Sequence, residues 1–166
     1  DHVIVESTYG DRMHNGEVAT DVLGDIIEKT VARGGSVIIP TFAVGRAQSI
    51  LYHLWRLKQS GRLGFTPVYL DSPMAIDATD LLHAHREDHR LGDEDCNGAC
   101  HIATYVRDVE ESKALTANPL PKVILAGSGM ATSGRVLHHL TTYGPDRRNT
   151  ILLSGFQAAG TRGRSL

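Results

Sequence analysis

A loop rich in glycine and serine follows one of the apolar runs of this 166-residue chain. Residues 123–126 have the length of a strand, residues 127–134 read G-S-G-M-A-T-S-G, and helical spacing resumes after them. Backbone N–H groups and small hydroxyls at the start of a helix bind phosphate and other anions. The candidate phosphate-binding residues are Ser128, Gly129, Met130, Thr132 and Ser133. In the alternative interpretation, the glycines only allow the chain to turn between a strand and a helix.

A carboxylate and a guanidinium follow two other apolar runs. Glu6 comes directly after residues 3–5, in the loop E-S-T-Y-G-D-R, and Arg46 lies near the start of a predicted helix. Arg46 could bind a phosphate or form a structural salt bridge with Glu6. Glu6 could equally cap a neighbouring loop or pair with Arg12.

Histidines cluster in the stretch H-A-H-R-E-D-H, residues 83–89. It differs from an H-x-H-x-D-H metal signature by one additional residue. Helical spacing continues through the stretch, and on a helix His83 and His85 diverge by roughly 200°. These two side chains cannot bind one ion together, although His85 and His89 could. We therefore favour a solvated helical face.

Two cysteines, Cys96 and Cys100, lie shortly before His101 in the sequence. Thiolate and imidazole are the usual ligands of zinc, but no fourth ligand is evident, so free thiols are the expectation. The chain has no Ser-His-Asp order and no G-x-S-x-G elbow, and residues 127–134 lack the lysine of a P-loop.

Apolar runs alternate with amphipathic segments along the whole chain. The predicted strands lie at residues 3–5, 36–39, 67–70, 123–126 and 150–153, and residues 101–106 have a weaker strand character. Apolar residues at three- and four-residue steps predict helices from about residues 17, 47 and 76, whereas residues 90–100 read as an acidic loop. The alternation predicts an α/β fold with a mostly parallel sheet of about five to six strands and helices on both faces.

Five of these runs are each followed by a loop rich in Gly, Ser, Thr or Pro. In a parallel sheet the carboxyl ends of the strands lie at one edge, where open α/β sheets bind ligands. We therefore expect the five loops to form one rim, with Glu6 facing it.

The composition is that of one ordinary globular domain, with 41% hydrophobic and 22% charged residues. A net charge of −2 argues against indiscriminate nucleic-acid binding but allows a local basic patch. No secretory signal or membrane span is recognisable, so we expect a cytoplasmic protein with no membrane partner. The chain begins within a strand pattern and without methionine, which suggests a piece of a larger protein.

Several ordered motifs resemble one family, the β-CASP domain of metallo-β-lactamase-fold nucleases that process RNA. The motifs are V-I-V-E-S-T-Y-G-D-R-M-H, G-G-S-V-I-I-P-T-F-A-V-G-R-A-Q-S-I-L, Y-L-D-S-P-M-A, L-A-G-S-G-M and R-N-T-I-L-L-S-G-F-Q-A-A-G-T-R-G. They span almost the whole chain and are most similar to the bacterial and archaeal branch of the cleavage-and-polyadenylation type.

The resemblance implies that residues 1–166 are a β-CASP domain excised from a larger protein. In the family, this domain is inserted in a metallo-β-lactamase domain, and single-stranded RNA enters the cleft between them. Two zinc ions belong to the other domain, so no metal ligand and no cofactor are expected in this chain. The implied partners are RNA, with DNA less favoured, and the metallo-β-lactamase domain of the same protein; a homodimer is also allowed.

The resemblance also implies roles for individual residues. Glu6 matches the acidic motif A, which supports a histidine of the active site during metal-assisted phosphodiester hydrolysis. The rim loops would guide the RNA backbone, with contributions from Tyr9, Arg12 and Arg46. Phe42 or Tyr9 could stack on a base, although burial is the expected state of Phe42.

Two other functions remain open from the sequence. The parent could be a non-catalytic β-CASP scaffold that positions another nuclease, or the chain could be a free-standing α/β module that binds a nucleotide at residues 127–134. The sequence leaves open whether a nuclease of this kind cuts internally or from an end, and which RNAs it meets.

Overall fold

The structure is a computed structural model that describes residues 2–11, 13 and 18–166. Its centre is a five-stranded sheet with the order β3-β2-β4-β1-β5, in which all neighbouring strands are parallel. The strands are β1 (Val37–Pro40), β2 (Val68–Asp71), β3 (Thr104–Tyr105), β4 (Val123–Ala126) and β5 (Thr150–Ile151). The predicted α/β class and parallel sheet are confirmed.

Within the described residues, seven helices precede, connect or follow the strands. They are α1 (Ala19–Ala32), α2 (Arg46–Gln59), α3 (Pro73–Ala84), α4 (Asp93–His101), α5 (Val109–Ala117), α6 (Val136–Tyr143) and α7 (Arg162–Ser165), with a 3-10 turn at Arg86–Asp88. Helix α3 begins with Ser72 as its N-cap, whose hydroxyl accepts the backbone N–H of Ala75 at 3.4 Å, and with Pro73 in the first turn.

Apolar side chains cover both faces of the sheet, because successive residues of a strand point to opposite sides. Val37 and Ile39 of β1 pack in a core with the helices α1, α2 and α3. Ile38, between them, packs in a second core with Leu115 of α5 and Val136 of α6. The continuous apolar runs of β1 and β4 thus reflect burial on both faces.

The prediction of a strand at residues 3–5 was wrong. These residues belong to none of the described strands, and Val3, Ile4 and Val5 are 86%, 98% and 74% exposed. An apolar run forms a strand only beside a partner, and none of the five described strands pairs with it. The fifth strand is instead β3, which pairs with β2.

The acidic stretch at residues 90–100 is mostly helical, contrary to the prediction of a loop. Its three acids occupy the first turn of α4, where negative charge is favourable. Cys96, Ala99 and Cys100 form the buried face. Trp55 of α2 lies against Gly98 so closely that a Cβ there would be 2.1 Å from the indole.

The helix α3 ends at Ala84, so the histidine stretch does not continue one helix as predicted. His85 is the C-cap residue, and a 3-10 turn separates it from His89. The Nε2 atom of His89 lies 3.1 Å from the carbonyl oxygen of Leu82 and 3.6 Å from the Sγ atom of Cys96.

Candidate functional site

A cavity of about 580 Å³ opens at the carboxyl edge of the sheet. We call it the rim pocket; its walls come from the N-terminal loop and from the loops that follow β1, β4 and β5. The residues that line it include Glu6, Tyr9, Phe42, Arg46, Met130 and Phe156. The structure thus brings together four of the predicted site residues, Glu6, Tyr9, Arg46 and Met130.

Glu6 is exposed and caps its own loop. Its Oε1 atom accepts the backbone N–H of Thr8 at 2.7 Å. Hydrogen bonds from the side chain and the backbone of Thr8 lower the pKa of Glu6, so its carboxylate is ionised at neutral pH. Within the described residues it forms no ion pair with Arg46, and the predicted partner Arg12 lies outside them.

Tyr9 connects the N-terminal loop to the loop after β5. Its hydroxyl oxygen accepts the backbone N–H of Phe156 at 2.8 Å. The two rings meet edge to face, with centroids 6.4 Å apart and planes at 82°. A Cβ on the adjacent Gly155 would lie 3.9 Å from the Tyr9 hydroxyl and 4.0 Å from Nε of Arg46.

The glycine- and serine-rich loop at residues 127–134 connects β4 to α6. Ser128 organises it, because its hydroxyl oxygen accepts the backbone N–H groups of Thr132 at 3.2 Å and Ser133 at 3.3 Å. Gly134 adopts a φ of 79°, and a Cβ there would be 2.6 Å from the carbonyl oxygen of Gly127. The beginning and the end of the loop are therefore shaped by its own contacts, and both Thr132 and Ser133 are exposed.

Residues 129 and 130 of this loop are hydrogen-bonded to the C-terminal segment of the chain. Gln157 donates from Nε2 to the carbonyl oxygen of Gly129 at 3.0 Å, and the backbone N–H of Gly163 donates to the carbonyl oxygen of Met130 at 3.0 Å. In the part of the chain that the structure describes, the N–H groups of Gly129 and Met130 have no hydrogen-bond partner. These two amides are donors that an anion could use.

A second cavity of about 490 Å³ lies beside the rim pocket, among the loops that follow β1, β2 and β4. We call it the β2–β4 pocket. Phe42 lines both cavities. The residues that line the second one include Phe42, Ser72, Met74, Ser128, Gly129, Ser133 and Arg135.

A buried carboxylate supports the floor of the β2–β4 pocket. Asp71, the last residue of β2, is fully buried and accepts three hydrogen bonds from other elements. The donors are Ser112 Oγ at 2.5 Å, Arg135 Nη1 at 2.7 Å and His139 Nε2 at 2.7 Å. Burial alone would raise the pKa of Asp71, but the bonds from His139, Ser112 and Arg135 outweigh it and lower the pKa.

Both ring nitrogens of His139 have hydrogen-bond partners. Thr116 has one hydroxyl hydrogen, and the shorter of its two contacts, at 2.8 Å, donates it to the carbonyl oxygen of Ser112. The Thr116 hydroxyl lies 3.1 Å from His139 Nδ1, while Nε2 of the same ring donates to Asp71.

This network was not predicted from the sequence. D-S-P-M-A was recognised only as a rim loop, although an acidic residue at the end of a buried strand is a signal for a paired carboxylate. The donors lie 41, 64 and 68 residues away in the chain, so the pattern gives no means to identify them.

The described residues contain no group of three His, Cys, Asp or Glu side chains placed to bind a metal ion. Cys96 and Cys100 are buried free cysteines. Burial, followed by the neighbouring Cys96, raises the pKa of the Cys100 thiol to about 12. That thiol is protonated at neutral pH, which disfavours it as a zinc ligand.

None of the helices in the described ranges is long and apolar enough to cross a membrane.

The chain is similar to known proteins over most of its length. The family model described as "Beta-Casp domain" matches residues 47–166. Over its whole length the chain is 41% identical to Ribonuclease TTHA0252 of Thermus thermophilus, of which it covers 40%. It is 34% identical to the Transcription termination factor FttA of Methanosarcina mazei, in an alignment that covers 99% of the chain and 27% of that protein. It is also 34% identical to an RNase J-like protein of Methanocaldococcus jannaschii, in an alignment that covers 100% of the chain and 39% of that protein. The chain thus spans 40% or less of the length of these relatives.

Proposed function

Because the chain belongs to the Beta-Casp domain family, we propose that it forms the RNA-binding wall of a ribonuclease cleft, within a larger protein. The observation that carries the proposal is the rim pocket, where an exposed cation, an ionised carboxylate and the 127–134 loop meet. A ribonuclease is favoured because the relative with 41% identity has that name.

The rim pocket can bind the backbone of a single strand without reading its sequence. Arg46 supplies a positive charge, and the N–H group of Met130 supplies a donor for a phosphate oxygen. The N–H group of Gly129 lies at the neighbouring β2–β4 pocket. The loop shape that presents these amides depends on the hydroxyl of Ser128. DNA offers the same phosphates, so the preference for RNA would depend on contacts with the 2′-hydroxyl.

Glu6 is proposed as a positioning residue for the reaction. Its ionised carboxylate faces the rim pocket and could accept a hydrogen bond from a histidine of the adjoining domain. Following the family resemblance, we place the paired zinc ions in the metallo-β-lactamase domain of the parent, where they would activate the attacking water. We expect this chain alone to be inactive.

Substitution of Arg46 in the full-length protein tests the proposal. Arg46→Ala should weaken the binding of single-stranded RNA and reduce the slope of log K against log salt by about 0.7 for each phosphate that the protein no longer neutralises. Arg147→Ala is the matched control, because Arg147 is exposed in the turn before β5, at the opposite edge of the sheet. Equal slopes for the wild type and Arg46→Ala would contradict a phosphate contact at the rim pocket.

A further inference from the structure

We propose that the β2–β4 pocket binds a nucleobase of the RNA strand, with the ring of Phe42 as the stacking surface. This inference rests on the proposed function, because the strand must first be bound along the rim. It adds a base-binding position to a surface that has so far been assigned only phosphate contacts.

Phe42 is unusually placed for a large apolar residue. It directly follows the buried Thr41, but 47% of its surface is exposed, contrary to the burial expected from the sequence. The ring rests on the backbone of Gly129, where a Cβ would be 2.6 Å from the ring atom Cδ2. The ring is therefore supported by the 127–134 loop while part of it stays accessible to a planar ligand.

A second apolar side chain lines the same pocket. Met74, in the first turn of α3, is 67% exposed. A flexible thioether adapts to flat ligands and makes favourable contacts with aromatic rings. The cavity volume of about 490 Å³ lies within the range of small-ligand sites. An aromatic and a thioether wall in a cavity of this size suit a base.

The charge of the pocket also suits a nucleotide. Arg135 lines the pocket and is held by Asp71. The Arg135 side chain is 20% exposed and places a positive charge at the pocket. An apolar protein partner would not use this charge, whereas a nucleotide carries a phosphate beside its base.

Phe42 also connects this pocket to the proposed path of the backbone. Its side chain lines the rim pocket as well as the β2–β4 pocket. A base stacked on Phe42 would therefore belong to a strand whose phosphates lie at the rim. Because every base has a π-face, the position should tolerate all four bases.

The test measures binding of the full-length protein to short single-stranded RNAs. Phe42→Ala should weaken binding by about 5- to 150-fold, the range of single base–aromatic stacks. Phe42→Leu keeps an apolar side chain on Gly129 but removes the aromatic ring, so its RNA affinity should fall almost as much as that of Phe42→Ala. Phe42→Trp keeps an aromatic ring and should retain the wild-type affinity. Phe65→Ala is the matched control, because Phe65 is fully exposed in the turn before β2, at the opposite edge of the sheet.

RNAs with one abasic position, moved along the strand, identify the base that stacks on Phe42. For the wild type, affinity should fall most at one position, and a 2-aminopurine there should be quenched on binding. In Phe42→Leu, the abasic substitution at that position should cause no further loss of affinity. Normal RNA binding with a flat abasic profile, or with no effect of Phe42→Leu, would overturn the base site and leave the proposed function standing. Absence of RNA binding by the wild type would overturn the proposed function itself.

Discussion

Replacement of Asp71 by asparagine should destabilise the fold strongly, although it changes the side-chain volume very little. The carboxylate is fully buried and accepts hydrogen bonds from Ser112, Arg135 and His139. Asparagine keeps one oxygen acceptor, so it can retain the bond from Arg135. Its amide group is a donor, however, and faces the two remaining donors, Ser112 and His139.

The expected magnitude follows from the two hydrogen bonds that asparagine cannot accept. Hydrogen bonds to charged groups each contribute about 1.5 to 3 kcal/mol, so the free energy of unfolding should fall by at least about 3 kcal/mol. With a urea dependence of about 1 to 3 kcal/mol per M, the unfolding midpoint should fall by about 1 to 3 M. A domain in the middle or upper part of the typical stability range of about 5–15 kcal/mol would remain folded.

Urea denaturation of the 166-residue chain measures this effect. Trp55 is the only tryptophan, and its contact with Gly98 makes its fluorescence a probe of the α2–α4 packing. Asp80→Asn is the matched control, because Asp80 is exposed and forms a surface ion pair with Arg107 at 2.8 Å. The unfolding midpoint of this variant should stay unchanged. An unchanged midpoint for Asp71→Asn as well would refute a stabilising role of the ionised Asp71 carboxylate.

The wild type and Asp71→Asn can also be compared as a function of pH. Because the pKa of Asp71 is lower in the folded state, its contribution to stability is complete above its unfolded pKa of about 3.9. The contribution is lost as the pH falls through the folded pKa. The difference in stability between the wild type and Asp71→Asn should therefore be constant near neutral pH and shrink below about pH 4. A difference that grows in acid would contradict this sign.

Three further predictions concern the rim and the buried thiols. Glu6→Gln in the full-length protein should lower the single-turnover cleavage rate much more than the RNA affinity; an equal loss of both would instead indicate a structural role. Ser128→Ala removes the acceptor of two backbone N–H groups and should weaken RNA binding while the zinc content, measured by elemental analysis, stays unchanged. Loss of zinc would contradict the assignment of that loop. Cys100, with a pKa raised to about 12 and a buried side chain, should react with iodoacetamide only after unfolding, and rapid labelling of the native protein would show that it is accessible.

The sheet could be predicted where the local sequence determines burial. The runs at β1 and β4 are apolar at every position up to their ends, and such runs are typical of central parallel strands. The positions of the rim loops then followed from parallel topology alone, and the structure places Glu6, Arg46 and Met130 on one cavity. The roles of these residues stay predictions.

The errors have one physical origin, which is that pairing and packing partners lie far away in sequence. The run at residues 3–5 has a strand pattern, but a pattern does not supply a neighbouring strand. The helix α4 was missed because its buried face is created by Trp55, some forty residues earlier. Asp71 could be recognised as an acid beside a strand, but its three donors come from α5, α6 and the loop before α6.

The bond between Tyr9 and Phe156 has a mechanical consequence. It brings together two points of the chain that are 147 residues apart, on either side of all five strands. The two segments therefore stay together as long as this bond and the edge-to-face contact of the two rings hold. Because Tyr9 also lines the rim pocket, loss of the contact would open one wall of that pocket without breaking a hydrogen bond of the sheet.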